Sequence, residues 1–210
     1  MAHVTEIRET KGLVQLSLDG VSWLKVRKKH FLKRPLAEGE AVDPEEYISS
    51  IALVQANDCY EAALTMLDMA AQTKNDLVRK LVFKGYVAPA AEAAAERLTE
   101  IGLIDDRRFA ERMAQSQLKK PVGAYAVKRK LMARRLSEED IEAAMEDFDS
   151  DQQAEACKNA AEKLWRKYSV LPAREGRAKL SQALARRGFS WDAIHSAVDA
   201  VCEDGDFFED

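Results

Sequence analysis

The chain is short of the residues that interrupt or staple a fold: of 210 residues, 9 are Gly, 5 are Pro and 3 are Cys. So few glycines and prolines exclude a collagen-like or low-complexity chain. Cys59, Cys157 and Cys202 are odd in number and far apart, which excludes a disulfide scaffold and the close pairing of a structural zinc site. No apolar run approaches the roughly 20 residues that span a bilayer, and residues 1–8 lack the basic-then-apolar pattern of a secretion signal. A cytoplasmic protein without a membrane partner is expected. The histidines, His3, His30 and His195, are scattered, and no His-Glu-x-x-His, Gly-x-Ser-x-Gly or P-loop string occurs. The chain is therefore read as a non-enzyme that needs no metal or other cofactor. Its paired acids, Asp105 with Asp106 and Glu138 to Asp140, stand where helices should begin and are read as caps.

What is present is a helix-forming, globular composition, 47% hydrophobic and 32% charged. One pattern occurs three times. Leu81, Lys84, Gly85, Tyr86, Ala91, Ala95 and Leu98 recur 50 residues on as Leu131, Arg134, Arg135, Leu136, Ile141, Met145 and Phe148. A further shift of 53 gives Leu184, Arg187, Gly188, Phe189, Ile194, Val198 and Val201. Each copy predicts a helix stopped by a C-terminal glycine, an apolar turn residue and a second helix. Only the middle copy has arginine, Arg135, in the glycine's place. Ser137-Glu-Glu-Asp140 forms a capping box, Pro89 suits a first helical turn, and Ser190 can cap. An amphipathic segment precedes each pair, at 60–71, 109–118 and 156–168, with Asp105 or Asp106 capping the second and Ser150 or Asp151 the third.

Residues 4–9, 13–18 and 21–26 read as short strands, and Asp19-Gly20 carries the hairpin signal. Asp43-Pro44-Glu45-Glu46 then starts a helix that leads into the first repeat. The expected fold is mainly α, with tandem three-helix, helix-turn-helix-like repeats behind a short N-terminal β-ribbon. Its divisions are residues 1–58 for ribbon and linking helix, 59–104, 105–150 and 151–202 for the three repeats, and 203–210 for an acidic tail.

The net charge of −4 is an average over unlike segments. Residues 203–210 hold five acids and no base, and the remainder is close to neutral. Lys119, Lys120, Lys128, Arg129, Lys130, Arg134 and Arg135 follow one another with no acid between the first and the last. The third repeat holds Arg174, Arg177, Lys179, Arg186 and Arg187 in the equivalent region, diluted by Glu175. Two consecutive second helices are thus basic, and a row of cations without base-reading chemistry suits phosphates. Trp23, Trp165 and Trp191 are read as core residues rather than stacking platforms. The tail, with Phe207 and Phe208 among its acids, is read as an end that could compete with nucleic acid for the basic faces.

The stretches Asn75-Asp-Leu-Val-Arg-Lys-Leu-Val-Phe-Lys-Gly-Tyr86 and Leu98-Thr-Glu-Ile-Gly-Leu-Ile-Asp-Asp-Arg-Arg-Phe-Ala110 resemble the centre of a RecX protein, and the likeness covers most of the chain. The resemblance implies tandem three-helix modules in a curved array lying in the groove of a RecA filament. It implies limits on filament extension, ATP hydrolysis, coprotease and strand-exchange activity in recombination, DNA repair and the SOS response. The partners expected are then the RecA filament and DNA, single-stranded and also double-stranded, held through phosphates by a monomer. The sequence departs from the family at Arg135, where glycine is usual, and at residues 88–95, whose alanines predict a looser first repeat. Two readings stand beside it: a helix-turn-helix transcriptional regulator, and a helical scaffold whose cations are solvated surface. Against the former, the third helices begin Glu138-Glu-Asp-Ile-Glu142 and Trp191-Asp-Ala-Ile-His195, acidic or mixed where a groove-reading helix is cationic or amide-rich.

Overall fold

A computed structural model describes residues 1–118 and 120–203. Lys119 and residues 204–210, hence nearly all of the acidic tail, lie outside the described residues. The chain divides into two compact units, residues 1–105 and 106–210.

Unit 1 opens with strands β1 (Ala2–Thr10), β2 (Leu13–Leu18) and β3 (Val21–Arg27), then a short helix α1 (Lys28–Phe31) and strand β4 (Ala41–Val42). The antiparallel sheet has the order β3-β2-β1-β4. The expected ribbon is therefore one strand wider, because β4 is only two residues long and has no alternation to reveal it. Asp19 and Gly20, at φ 48° and 81°, form the foreseen tight turn, and Lys11 with Gly12 repeats it at 45° and 81°.

Three helices complete this unit: α2 (Pro44–Met69), α3 (Lys74–Phe83) and α4 (Ala88–Glu100). The Asp43 carboxylate accepts from the Glu45 and Glu46 amides to start α2. α2 is one continuous helix, so the linking helix and the first amphipathic segment are a single element. Its buried stripe, Tyr47, Ile51, Gln55, Cys59, Ala63 and Met66, has helical spacing and faces the sheet residues, α3 and α4. Ala90, Ala91, Ala94 and Ala95 are all buried in the core of this unit.

Unit 2 holds α5 (Asp106–Leu118), α6 (Ala124–Ala133) and α7 (Glu138–Met145) around one core, and α8 (Ser150–Tyr168), α9 (Ala173–Arg186) and α10 (Trp191–Glu203) around another. The repeat is read out in the burial. Leu81, Leu131 and Leu184 have no exposed surface, and Tyr86, Leu136 and Phe189 are buried beside them. Lys84, Arg134 and Arg187 cap the three second helices at their C-termini, where the helix dipole favours a cation. The next residues, Gly85, Arg135 and Gly188, have φ of 88°, 55° and 84°. Arg135 thus takes the left-handed conformation that its neighbours in the pattern reserve for glycine, at about 1–2 kcal/mol. In the outer copies Tyr86 N–H reaches Leu81 C=O at 3.2 Å and Phe189 N–H reaches Leu184 C=O at 3.5 Å, closing each helix end.

Ser137 and Ser190 cap as foreseen, accepting from the Asp140 and Ala193 amides. α8 is capped one residue earlier than expected, by Asp149, whose carboxylate accepts from the Gln152 amide. The reading of all three tryptophans as core fails at one. Trp23 and Trp165 pack against buried clusters, but Trp191 is 63% exposed at the start of α10, its ring 6.1 Å from that of His195. The repeat itself explains this, since its counterpart is Glu138, an exposed first-turn position.

Candidate nucleoprotein-binding surface

α6 is a ten-residue helix with Ala126, Val127 and Leu131 buried. At 100° per residue its outer surface carries Lys128, Arg129 and Lys130, all three exposed, with Tyr125 and Met132 exposed beside Arg129. Lys130 donates to the neutral Gln117 side chain at 3.2 Å. Lys128 and Arg129 have no ion-pair partner among the described residues. Lys120, Arg134 and Arg135 are exposed at the two ends of the same helix, while Lys119 lies outside the described residues.

The third repeat keeps its cations on a more compensated surface. Arg174, Arg177, Lys179 and Arg186 are exposed and Arg187 is half-buried. Arg177 pairs with Asp199 at 2.5 Å and Lys179 with Glu175 at 2.7 Å. Surface pairs of this kind contribute little stability, but each weakens the field its cation offers to a phosphate.

The two basic segments meet through the backbone. Gly123 N–H donates to Arg187 C=O at 2.9 Å and Tyr125 N–H to Gly188 C=O at 3.1 Å. The turn that carries Arg186 and Arg187 therefore closes on the first turn of α6, and Lys128 follows about 8 Å further along the axis at 1.5 Å per residue. Both glycines are needed for this approach, since a Cβ on either would overlap the backbone of the other segment. Neither Gly123 nor this approach was foreseen. The glycine's one signal is its place before a helix that has no side-chain cap.

A different cluster, not foreseen, lies in unit 1. His30, 2% exposed, places Nε2 3.2 Å from Asp58 Oδ2, and Tyr86 O–H donates to the same carboxylate at 2.7 Å. Arg27 donates to Tyr86 Oη at 2.7 Å, and Lys29 donates to Asp58. Burial lowers the His30 pKa and outweighs the Asp58 charge that would raise it, so the ring is neutral at pH 7. Burial opposes ionisation of Asp58 too, but bonds from Lys29 and Tyr86 prevail and hold its pKa low. The group joins β3, α1, α2 and the α3–α4 turn, and Nδ1 of His30 has no hydrogen-bond partner among the described residues.

Gln55 is the other polar tie at this junction. Fully buried in the apolar stripe of α2, it donates to Gly85 C=O at 3.0 Å and accepts from Val87 N–H at 2.7 Å. Gln55→Leu leaves the buried Val87 N–H unpaired, so a loss of about 2–3 kcal/mol is expected. A lower urea midpoint with unchanged m-value would register it.

The three cysteines are buried, and burial pushes the thiols of Cys59 and Cys157 up to about 12 and about 11. Those two thiols stay protonated, the unreactive form. Among the described residues no group of three or more His, Cys, Asp or Glu side chains could hold a metal ion, and no helix is long and apolar enough to cross a membrane.

Comparison with known proteins agrees with this geometry. Residues 105–145 match the family model of the second three-helix domain of RecX, and residues 151–198 that of the third. The chain is 29% identical over 205 residues to the regulatory protein RecX of Limosilactobacillus reuteri, covering 96% of this chain and 77% of the relative. It is 31% identical over 137 residues to the regulatory protein RecX of Pelodictyon phaeoclathratiforme, covering 65% of this chain and 84% of that protein. A crystal structure of regulatory protein RecX superposes with a TM-score of 0.65 at 27% identity, covering 95% of this chain and all of the other. With its triple pattern, its closed helix ends and these matches over most of its length, the chain belongs to the RecX family of regulatory proteins.

Proposed function

We propose that this protein is a cytoplasmic, non-enzymatic regulator that binds RecA filaments on single-stranded DNA as a monomer and restrains RecA's ATPase, recombinase and coprotease activities. The observation that carries the reading is the exposed, uncompensated cation row Lys128, Arg129 and Lys130 on α6, tied at its base to the Arg187 turn. Such a row suits phosphates of either single- or double-stranded DNA without reading bases. In this reading, protein contacts along a filament add to the phosphate contacts. A duplex-reading repressor fits less well, because Glu138, Glu139 and Glu142 are exposed on α7, where a groove-reading helix would meet phosphates.

The test is RecA ATP hydrolysis on single-stranded DNA with this protein titrated in, and RecA-free DNA binding as control. Inhibition at well below one protein per recombinase is expected. No effect on RecA, together with tight sequence-selective duplex binding, would overturn the reading and favour the repressor.

A further inference from the structure

Unit 1 carries a concave surface for which the regulator reading has no use. A groove of about 490 Å³ lies between the C-terminal end of α2 and the outer face of α3. Met66, Met69, Ala70 and Phe83 give it an apolar floor, and Arg79, Lys80 and Lys84 give it a cationic edge. Met69 and Phe83 are 83% and 80% exposed. Large apolar side chains gathered at a concavity and left in water mark a binding surface.

The edge is positive throughout, with no acidic side chain among the lining residues. Lys80 is steadied by Gln72 at 2.7 Å and Arg79 by Asp76 at 2.8 Å, while Lys84 has no side-chain partner among the described residues. Lys25 extends the charge from β3, its ammonium 5.9 Å from the centroid of the Phe83 ring. At the positions equivalent to Phe83 the other repeats carry Ala133 and Arg186, so their cations border no aromatic there.

We propose that this groove docks an acidic segment of a partner protein, whose aromatic or long aliphatic side chains enter beside Phe83 and the two methionines. Its carboxylates then lie against Arg79, Lys80 and Lys84. Thioether side chains adapt to an inserted ring or aliphatic chain, which suits a peptide. Lys25 already stands over one face of Phe83, which leaves less of the ring for a stacked base. The inference goes beyond the regulator reading and does not rest on it, since its test contains no recombinase.

The experiment measures fluorescence polarisation of a labelled synthetic peptide, a run of aspartate and glutamate holding two phenylalanines, against the full chain. Saturable binding is expected, weakened about tenfold or more by Phe83→Ala with Met69→Ala. Lys84→Glu should weaken it too, by a factor that shrinks towards one at about 1 M salt. All three positions are at the surface, and an unchanged circular dichroism spectrum and melting curve accompany the expected result. Absence of saturable binding, or binding indifferent to loss of Phe83 and Met69, would overturn the proposal. So would an oligothymidylate that competes for the groove and is itself lost with Phe83→Ala, which assigns the surface to nucleic acid. A chain ending at Cys202 that binds the peptide much more tightly than the full chain also overturns it, because the protein's own acidic tail is then the occupant.

Discussion

Gly188→Ala is expected to destabilise unit 2 by about 3–5 kcal/mol, among the largest effects a single methyl group can have. Two costs add. At φ 84° an alanine pays about 1–2 kcal/mol for left-handed backbone. The new Cβ would also overlap the backbone and Cβ of Ala126, at the first turn of α6. Backbone cannot swing aside as a side-chain end can, so α6 and the α9–α10 turn must separate and the Gly123 and Tyr125 hydrogen bonds break.

Two further substitutions divide these costs. Gly102→Ala has the same backbone strain at φ 73° but open space around its Cβ, and should cost only that strain, about 1–2 kcal/mol. Gly123→Ala has no positive φ, yet its Cβ would overlap the Gly188 carbonyl, so it should approach the Gly188→Ala loss through sterics alone. Urea unfolding ranks the three, and hydrogen exchange localises the Gly188→Ala and Gly123→Ala damage to unit 2 and that of Gly102→Ala to unit 1. A Gly188→Ala protein no less stable than Gly102→Ala would show that the close approach between the two repeats is not maintained in solution.

The same pair of glycines shows where sequence reasoning stops. Gly188 is legible because it recurs: a leucine, a cation, a glycine and an apolar residue in fixed order describe a closed helix end, and its geometry follows from local backbone chemistry. Leu81, Leu131 and Leu184, all fully buried, are legible for the same reason. Gly123 is not, because what it touches lies 65 residues away and no local pattern records a tertiary approach. Gln55 falls between: a lone amide in an otherwise apolar, helically spaced stripe is a visible anomaly, although its partners are not. Trp191 is misread from residue type alone, whereas alignment with Glu138 in the repeat places it at the surface. For the candidate site, the sequence delivers the cations and the helices that bear them. That Arg177 and Lys179 are compensated while Lys128 and Arg129 are not depends on which side chains from other turns reach them.

That asymmetry sets the second large effect. Reversing Lys128, Arg129 and Lys130 together to glutamate should weaken binding to single-stranded DNA and to RecA nucleoprotein by about two orders of magnitude at low salt. The slope of log affinity against log salt should fall by about 2, at roughly 0.7 for each phosphate no longer neutralised. Stability should change little, because all three side chains are exposed and the buried Val127 and Leu131 are untouched. Reversal of Arg177 and Lys179 should do less, since Asp199 and Glu175 already offset much of their charge. Filter binding across a salt series compares the two variants, with the ATPase titration run beside it. If the α6 variant binds and inhibits like the parent, the cation row is solvated surface and the repeats act through protein contacts alone. If both variants lose binding equally, overall charge rather than the uncompensated row governs attachment, because only a local field distinguishes paired cations from unpaired ones.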